Sequence, residues 1–129
     1  MINKYKSNCV QISNTLSHSY SPCFINGEAE YVAIGGINKI EIWDLKKKES
    51  IKVFDTGSEI HVSCMNSINN ILAVGTGDGT LSLWDVRNWN RFYSKKYEMQ
   101  PTSVHITSDS KYLTIGGNGG EECVVLQIK

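Results

Sequence analysis

Arginine is almost missing from this chain: of 13 basic residues only Arg87 and Arg91 are arginines, and 13 acidic residues bring the net charge to zero. That balance argues against a general nucleic-acid coat or a polybasic membrane binder. Proline occurs only twice, and no run approaches the roughly 20 apolar residues of a membrane span. The four cysteines (Cys9, Cys23, Cys64 and Cys123) contain no C-x-x-C pair. Each lies in an apolar or alternating run, which fits small buried thiols in a reducing compartment better than disulfides or a zinc site. No N-x-[ST] sequon occurs, and no apolar stretch follows Met1–Lys6. A secretory signal is therefore not expected, and an intracellular location, cytoplasm or nucleus, is.

The chemistry-bearing motifs are equally sparse. Gly75-x-Gly77 is followed by Asp78-Gly79-Thr80, so a dinucleotide fingerprint would lack its third glycine. No G-K-[ST] closes a phosphate loop, and no G-x-S-x-G marks a nucleophile elbow. The histidines are His18, His61 and His105, and of these His61 and His105, 44 residues apart, have no acidic or cysteine partner at ligand spacing. Glu121 and Glu122 are adjacent on an extended segment and point to opposite faces, so they do not pair as acid and base. No catalytic, cofactor-binding or metal-binding residue is assigned, no cofactor is expected, and the chain is not expected to be an enzyme.

What the chain does have is self-similarity. Tyr31–Leu45, Ile71–Val86 and Tyr112–Ile128 align, with Gly35, Gly75 and Gly116 spaced by 40 and 41 residues and Trp43 and Trp84 by 41. Within each unit the pattern has period 2. Ile40, Ile42 and Asp44 oppose Glu41, Trp43 and Leu45, and Leu81, Leu83 and Asp85 oppose Ser82, Trp84 and Val86. Both faces carry large apolar groups, as in strands covered on both sides. Short turns rich in Gly and Asn join them. A further strand precedes each pair, at about Tyr20–Ile25, Ile60–Met65 and Thr102–Ile106. A fourth follows at Ser50–Asp55 and Arg91–Tyr97. The expected fold is all-β, built of four-stranded antiparallel units.

These residues resemble WD40 repeats. Trp43-Asp44 and Trp84-Asp85 stand as the family's signature dipeptides, and Gly75–Val86 matches its G-S-x-D-G-T-x-x-x-W-D segment. Thr102–Gly116 is similar to its V-x-F-S-P-D-G-x-x-L-A-S-G stretch. The resemblance implies a β-propeller of four-stranded blades, about three of them here. Residues 18–57 make blade 1, residues 58–99 blade 2, and residues 100–129 a blade 3 that lacks its outer strand. Residues 1–17 carry a possible ring-closing strand, Asn8–Ser13. The structural signature positions are Trp43, Asp44, Asp78, Trp84 and Asp85. The departures are that no Gly-His dipeptide precedes a repeat, that Val74 stands where a Ser or Thr is expected, and that Leu126-Gln127 replaces Trp-Asp. The family's Asp-His-Ser/Thr-Trp hydrogen-bond chain is thus expected to be incomplete, with apolar packing taking its place.

Propellers close with roughly 4–8 blades. Three blades leave two apolar side faces without a neighbour, and such faces mark an interface. The expectation is a protein–protein interaction scaffold within a larger protein or assembly. Its open faces would be covered by more blades of the same protein, by a second copy, or by a protein partner. The alternative is an RNA- or ribonucleoprotein-associated module using the basic and aromatic segment Arg87–Tyr97. Lys46, Lys47, Arg87, Trp89 and Arg91 fall in matching turns of neighbouring blades and form the candidate interaction rim.

Overall fold

The computed structural model describes residues 20–119 and 123–128. The expected Asn8–Ser13 strand, His18 and the Glu121-Glu122 pair lie outside them. Among the described residues there are eleven strands and one 3-10 turn, and no helix long and apolar enough to cross a membrane.

The strands form three antiparallel sheets. Blade 1 holds β1 (Tyr20–Phe24), β2 (Tyr31–Gly35), β3 (Lys39–Asp44) and β4 (Glu49–Asp55) in that order. Blade 2 repeats it with β5 (Val62–Ile68), β6 (Ile71–Thr76), β7 (Thr80–Asp85) and β8 (Asn90–Lys96). Blade 3 has three described strands, β9 (Gln100–Ile106), β10 (Tyr112–Asn118) and β11 (Val124–Gln127). The first strands stand side by side, β1 against β5 and β5 against β9, so they mark the inner ends of the blades.

Two apolar seams join the sheets. Ala33, Ile40 and Ile42 of blade 1 meet Leu72, Val74 and Trp84 of blade 2. Ala73, Leu81 and Leu83, on the other face of blade 2, meet Val104, Leu113 and Ile115 of blade 3. The alternation read along β3 and β7 is the physical cause: one strand supplies two apolar faces because it is pressed between two layers. Each large side chain withdrawn from water this way contributes about 1.5–3 kcal/mol.

The turns follow a rule of their own. Asn26, Asn70 and Ser110 recur between the first and second strands of the blades, and Lys48 and Trp89 between the third and fourth; all have positive φ. Asn26 and Asn70 also lock neighbouring blades together. The Asn70 N–H donates to Asn26 Oδ1 at 2.7 Å, and Asn26 Nδ2 donates to Asn70 Oδ1 at 3.1 Å. Asn69 Nδ2 does the same across the second seam, donating to the Ser108 carbonyl (2.8 Å) and Ser110 Oγ (2.7 Å).

Two expectations are corrected. The two outer side faces are not both bare and apolar. On blade 1, Val32, Ile34 and Trp43 are under a tenth exposed, although no described sheet lies over them. On blade 3 the outward face is mostly polar, with Ser103, His105, Thr114 and Gln127 exposed beside Val125. The cysteines are not all buried: Cys64 is, but Cys123 is exposed. Desolvation pushes the Cys23 thiol up to about 12 and raises Cys64, so neither thiol ionises near neutral pH. In blade 2 a local polar network forms around Asp78 without reaching Trp84.

Candidate functional site

That network is built from Asp78, in the β6–β7 hairpin. Thr76 Oγ1 donates to Asp78 Oδ1 at 2.6 Å, and the Thr80 N–H to the same oxygen at 3.1 Å. Ser58 Oγ, from the segment before β5, donates to Asp78 Oδ2 at 2.9 Å and accepts the Ile60 N–H. Gly57-Ser58 thus occupies the place of the family's Gly-His, whereas Thr76 bonds Asp78 itself and makes no link to Trp84. Partial desolvation pushes the Asp78 carboxyl up, but the bonds from Thr76, Ser58 and Thr80 outweigh it and hold the carboxyl below its ordinary range. Trp84 stands apart from this cluster: its Nε1 donates to Ser82 Oγ, on its own strand, at 3.0 Å. Trp43 has Glu41 in the place of that serine, and its Nε1 is buried without a hydrogen-bond partner among the described residues.

Asp44 and Asp85 shape the turns into the outer strands. Asp44 Oδ1 accepts the N–H groups of Lys46 (2.9 Å) and Lys47 (3.0 Å). Asp85 Oδ1 accepts the Arg87 N–H at 2.9 Å and Nε at 3.0 Å, and its Oδ2 accepts Nη2 at 2.9 Å. The Arg87 bonds hold the Asp85 carboxyl low and raise the guanidinium further. A short side chain that bonds the backbone two residues on is what fixes such a turn.

The candidate rim residues separate into two groups. Lys46, Lys47 and Arg87 are exposed, on equivalent turns of neighbouring blades. Trp89, half-buried, and Arg91, exposed like the first group, make contacts at the seam. Trp89 packs on Phe54 with ring centroids 5.4 Å apart, and Phe54 packs on Trp84 at 4.8 Å. The Arg91 guanidinium lies 5.8 Å from the Trp84 ring centroid and donates through Nη1 to the Thr56 carbonyl at 3.3 Å. Tyr93 and Tyr97 pack against the second seam with their hydroxyls 3.0 Å apart. The aromatic residues of 87–97 are therefore mostly turned against the protein, whereas stacking bases requires free ring faces.

Sequence reasoning passed over Ser58, Thr76, Asn26 and Asn70. The serine lies 20 residues from the aspartate it bonds, and no local pattern marks it. Asn26 and Asn70 are 44 residues apart, off the repeat spacing of 40 and 41, so the period did not mark them either. Among the described residues no three His, Cys, Asp or Glu side chains gather into a metal-binding group.

No family model matches the chain. Over 82 residues, 61% of this chain, it is 28% identical to the "Target of rapamycin complex subunit LST8" of Rattus norvegicus, covering 25% of that protein. Among solved structures, a chain of the "Crystal Structure of Mitotic Checkpoint Complex" superposes with a TM-score of 0.73 at 18% identity, over 81% of this chain and 32% of that one. The Cps50 (Swd1) β-propeller domain of Myceliophteria thermophila superposes with a TM-score of 0.75 at 14% identity, over 86% and 36%. The chain thus spans about a quarter of the curated relative and about a third of these solved chains.

Proposed function

We propose, from the premise that this chain is a partial WD40-type β-propeller, that it is a non-catalytic interaction module working inside a larger propeller or a multi-subunit assembly. The observation that carries this reading is the placement of charge on the two outer turns. Asp44 and Asp85 fold equivalent turns, and these set Lys46, Lys47 and Arg87 on one rim of adjacent blades. Their backbones are tied down, the Lys46 and Lys47 side chains reach into solvent, and Arg87 pairs with Asp85 while 71% exposed, which makes a rigid, basic edge for a partner protein. The names of two similar proteins, a complex subunit and a checkpoint complex, support the same class of role. Arg91 and Trp89 contribute by holding the seam beneath that edge and not by reaching the partner.

The test is to purify the chain with its assembly and compare it with a Lys46→Glu/Lys47→Glu double variant by size-exclusion chromatography with light scattering. The expected result is an assembly for the parent and its loss, or a steeper salt sensitivity, for the variant. A monodisperse 14.4 kDa species under all conditions would sink the proposal.

A further inference from the structure

Only two asparagines of the chain are followed by glycine, in Asn26-Gly27 and Asn118-Gly119. With no side chain on the second residue, its backbone nitrogen can reach the side-chain carbonyl carbon of the asparagine and close a five-membered imide. The two glycines are alike. Gly27 has φ +69° and Gly119 φ +89°, and a Cβ built on either would meet no described atom within 4 Å. The asparagines differ. Asn26 is half-buried, and its amide is held at both ends: Nδ2 donates to Asn70 Oδ1 at 3.1 Å, and Oδ1 accepts the Asn70 N–H at 2.7 Å. Its own N–H donates to Ser67 Oγ at 3.0 Å. Asn118 is the last residue of β10 and exposed, and its side chain makes no hydrogen bond to a described residue.

We propose that Asn118 is a site of spontaneous modification, where the Gly119 nitrogen converts the asparagine amide to a carboxylate, and that the seam withholds the same reaction from Asn26. The Gly119 nitrogen bonds to Asn118 Cγ and the Cγ–Nδ2 bond breaks. Nδ2 leaves as ammonia, with the proton that the Gly119 nitrogen sheds. One water then opens the imide. Opening at the side-chain carbonyl gives aspartate, and opening at the main-chain carbonyl gives isoaspartate. Water is the only co-reactant, and nothing is oxidised or reduced. The reaction requires the side chain to swing Cγ over the following nitrogen. No described group restrains that rotation at Asn118. At Asn26 two hydrogen bonds must break first, so the reaction waits on a local opening of the seam.

The product changes a defined piece of surface. Asn118 lines a hollow beside the β6–β7 hairpin together with Asp78, Glu98 and Lys96. A new carboxylate there joins two others around one ammonium among the described residues. The isoaspartyl branch also adds a methylene to the main chain where Asn118 stands opposite Gln100. The edge between blades 2 and 3 thereby carries a slow, one-way change toward negative charge, and any neighbour at that edge meets a different field.

The test follows the whole chain at neutral pH and body temperature, once folded and once in guanidinium chloride. Tryptic peptides are read over time by mass spectrometry for the gain of about one dalton that marks amide-to-acid conversion. The peptide Tyr112–Lys129 holds Asn118 as its only asparagine, and fragmentation locates Asn26 in its own peptide. The unfolded sample gives the rate of each dipeptide without structure. Folded Asn118 is expected to react within about fivefold of that rate, and folded Asn26 to fall below it by more than that factor. Asn70→Gly tests the cause. Glycine accepts the left-handed backbone at position 70 (φ 66°) and removes the Oδ1 that holds Asn26, so Asn26 should quicken while Asn118 keeps its rate. Circular dichroism checks that this variant is folded; if it is not, the two rates in the parent still decide. The proposal is overturned if folded Asn118 is protected as strongly as expected for Asn26, if folded Asn26 reacts as fast as Asn118, or if folded Asn70→Gly leaves the Asn26 rate unchanged.

Discussion

Blade 2 and blade 3 turn equivalent faces in the same direction, and the chemistry on them differs position by position. Where blade 2 carries Cys64, Ala73 and Leu83, strand registers place Ser103, Thr114 and Val125 on blade 3. The first set is buried in a seam; the second is exposed to water. Blade 1 sides with blade 2, presenting Ala33 and Ile42 to its neighbour. The repeat thus fixes backbone and turn positions in all three sheets, while the character of these equivalent faces differs: apolar on blades 1 and 2, where the next sheet packs on them, and polar on blade 3. A polar face suits a sheet surface that meets water, and the described side chains of blade 3 form one.

The largest effect should come from testing that contrast directly. Leu83→Asp places a charge in a seam where the parent side chain is 2% exposed. It should cost about 4 kcal/mol or more, enough to unfold a marginally stable domain. Val125→Asp, at the equivalent place on blade 3, should shift a urea midpoint little, within about 0.5 kcal/mol. Equal damage from both would mean that the blade 3 face is covered in the working protein, and the comparison would lose its meaning.

Next in size is the β6–β7 hairpin of blade 2, which Asp78 secures. Gly79 has φ +96°, and a Cβ there would run into the Tyr97 carbonyl oxygen, a backbone atom that cannot swing away. Gly79→Ala should cost about 1–3 kcal/mol in urea unfolding. Asp78→Ala leaves Ser58 and Thr76 without their acceptor and should cost a similar amount. The carboxyl gives this loss a pH signature. Its folded pKa lies below the ordinary value, so its stabilisation is present above the unfolded pKa, near 4, and fades as pH falls through the folded one. The gap between parent and Asp78→Asn should therefore be wide at pH 7 and narrow toward pH 3. A gap that stays constant with pH would remove Asp78 from the role given to it.

Those same positions show what could be read from sequence and what could not. Trp43 and Trp84, 41 residues apart, and the alternation around Ile40, Ile42, Leu81 and Leu83 carry the all-β fold, because they express local period and repeat spacing. Ser58 and Thr76 escaped because hydrogen-bond partners are chosen in space, and a serine hydroxyl can stand where a larger ring was looked for. Arg91 and Trp89 looked like rim residues because basic and aromatic types interleave there. The extra residue in β8 turns Arg91 onto Trp84 instead. Register shifts leave no local trace in composition. The polar face of blade 3 was legible residue by residue, but the assumption that every blade carries two apolar faces concealed it.

The smallest effect separates the seam contacts of Arg91 from the solvent-exposed side chains of Lys46 and Lys47. Arg91→Ala removes a guanidinium 5.8 Å from the Trp84 centroid and a bond to the Thr56 carbonyl. It should lower stability by about 1 kcal/mol. Lys46→Ala and Lys47→Ala, whose turn bonds come from their backbone N–H groups, should leave stability unchanged, because the side chains reach only solvent. Arg91→Lys distinguishes charge from shape: an ammonium keeps the positive charge but not the planar face that lies along the indole, so most of the loss should persist. If Arg91→Lys were as stable as the parent, net charge near the seam would be what matters, and Arg91 would return to the group of rim cations from which its packing separates it.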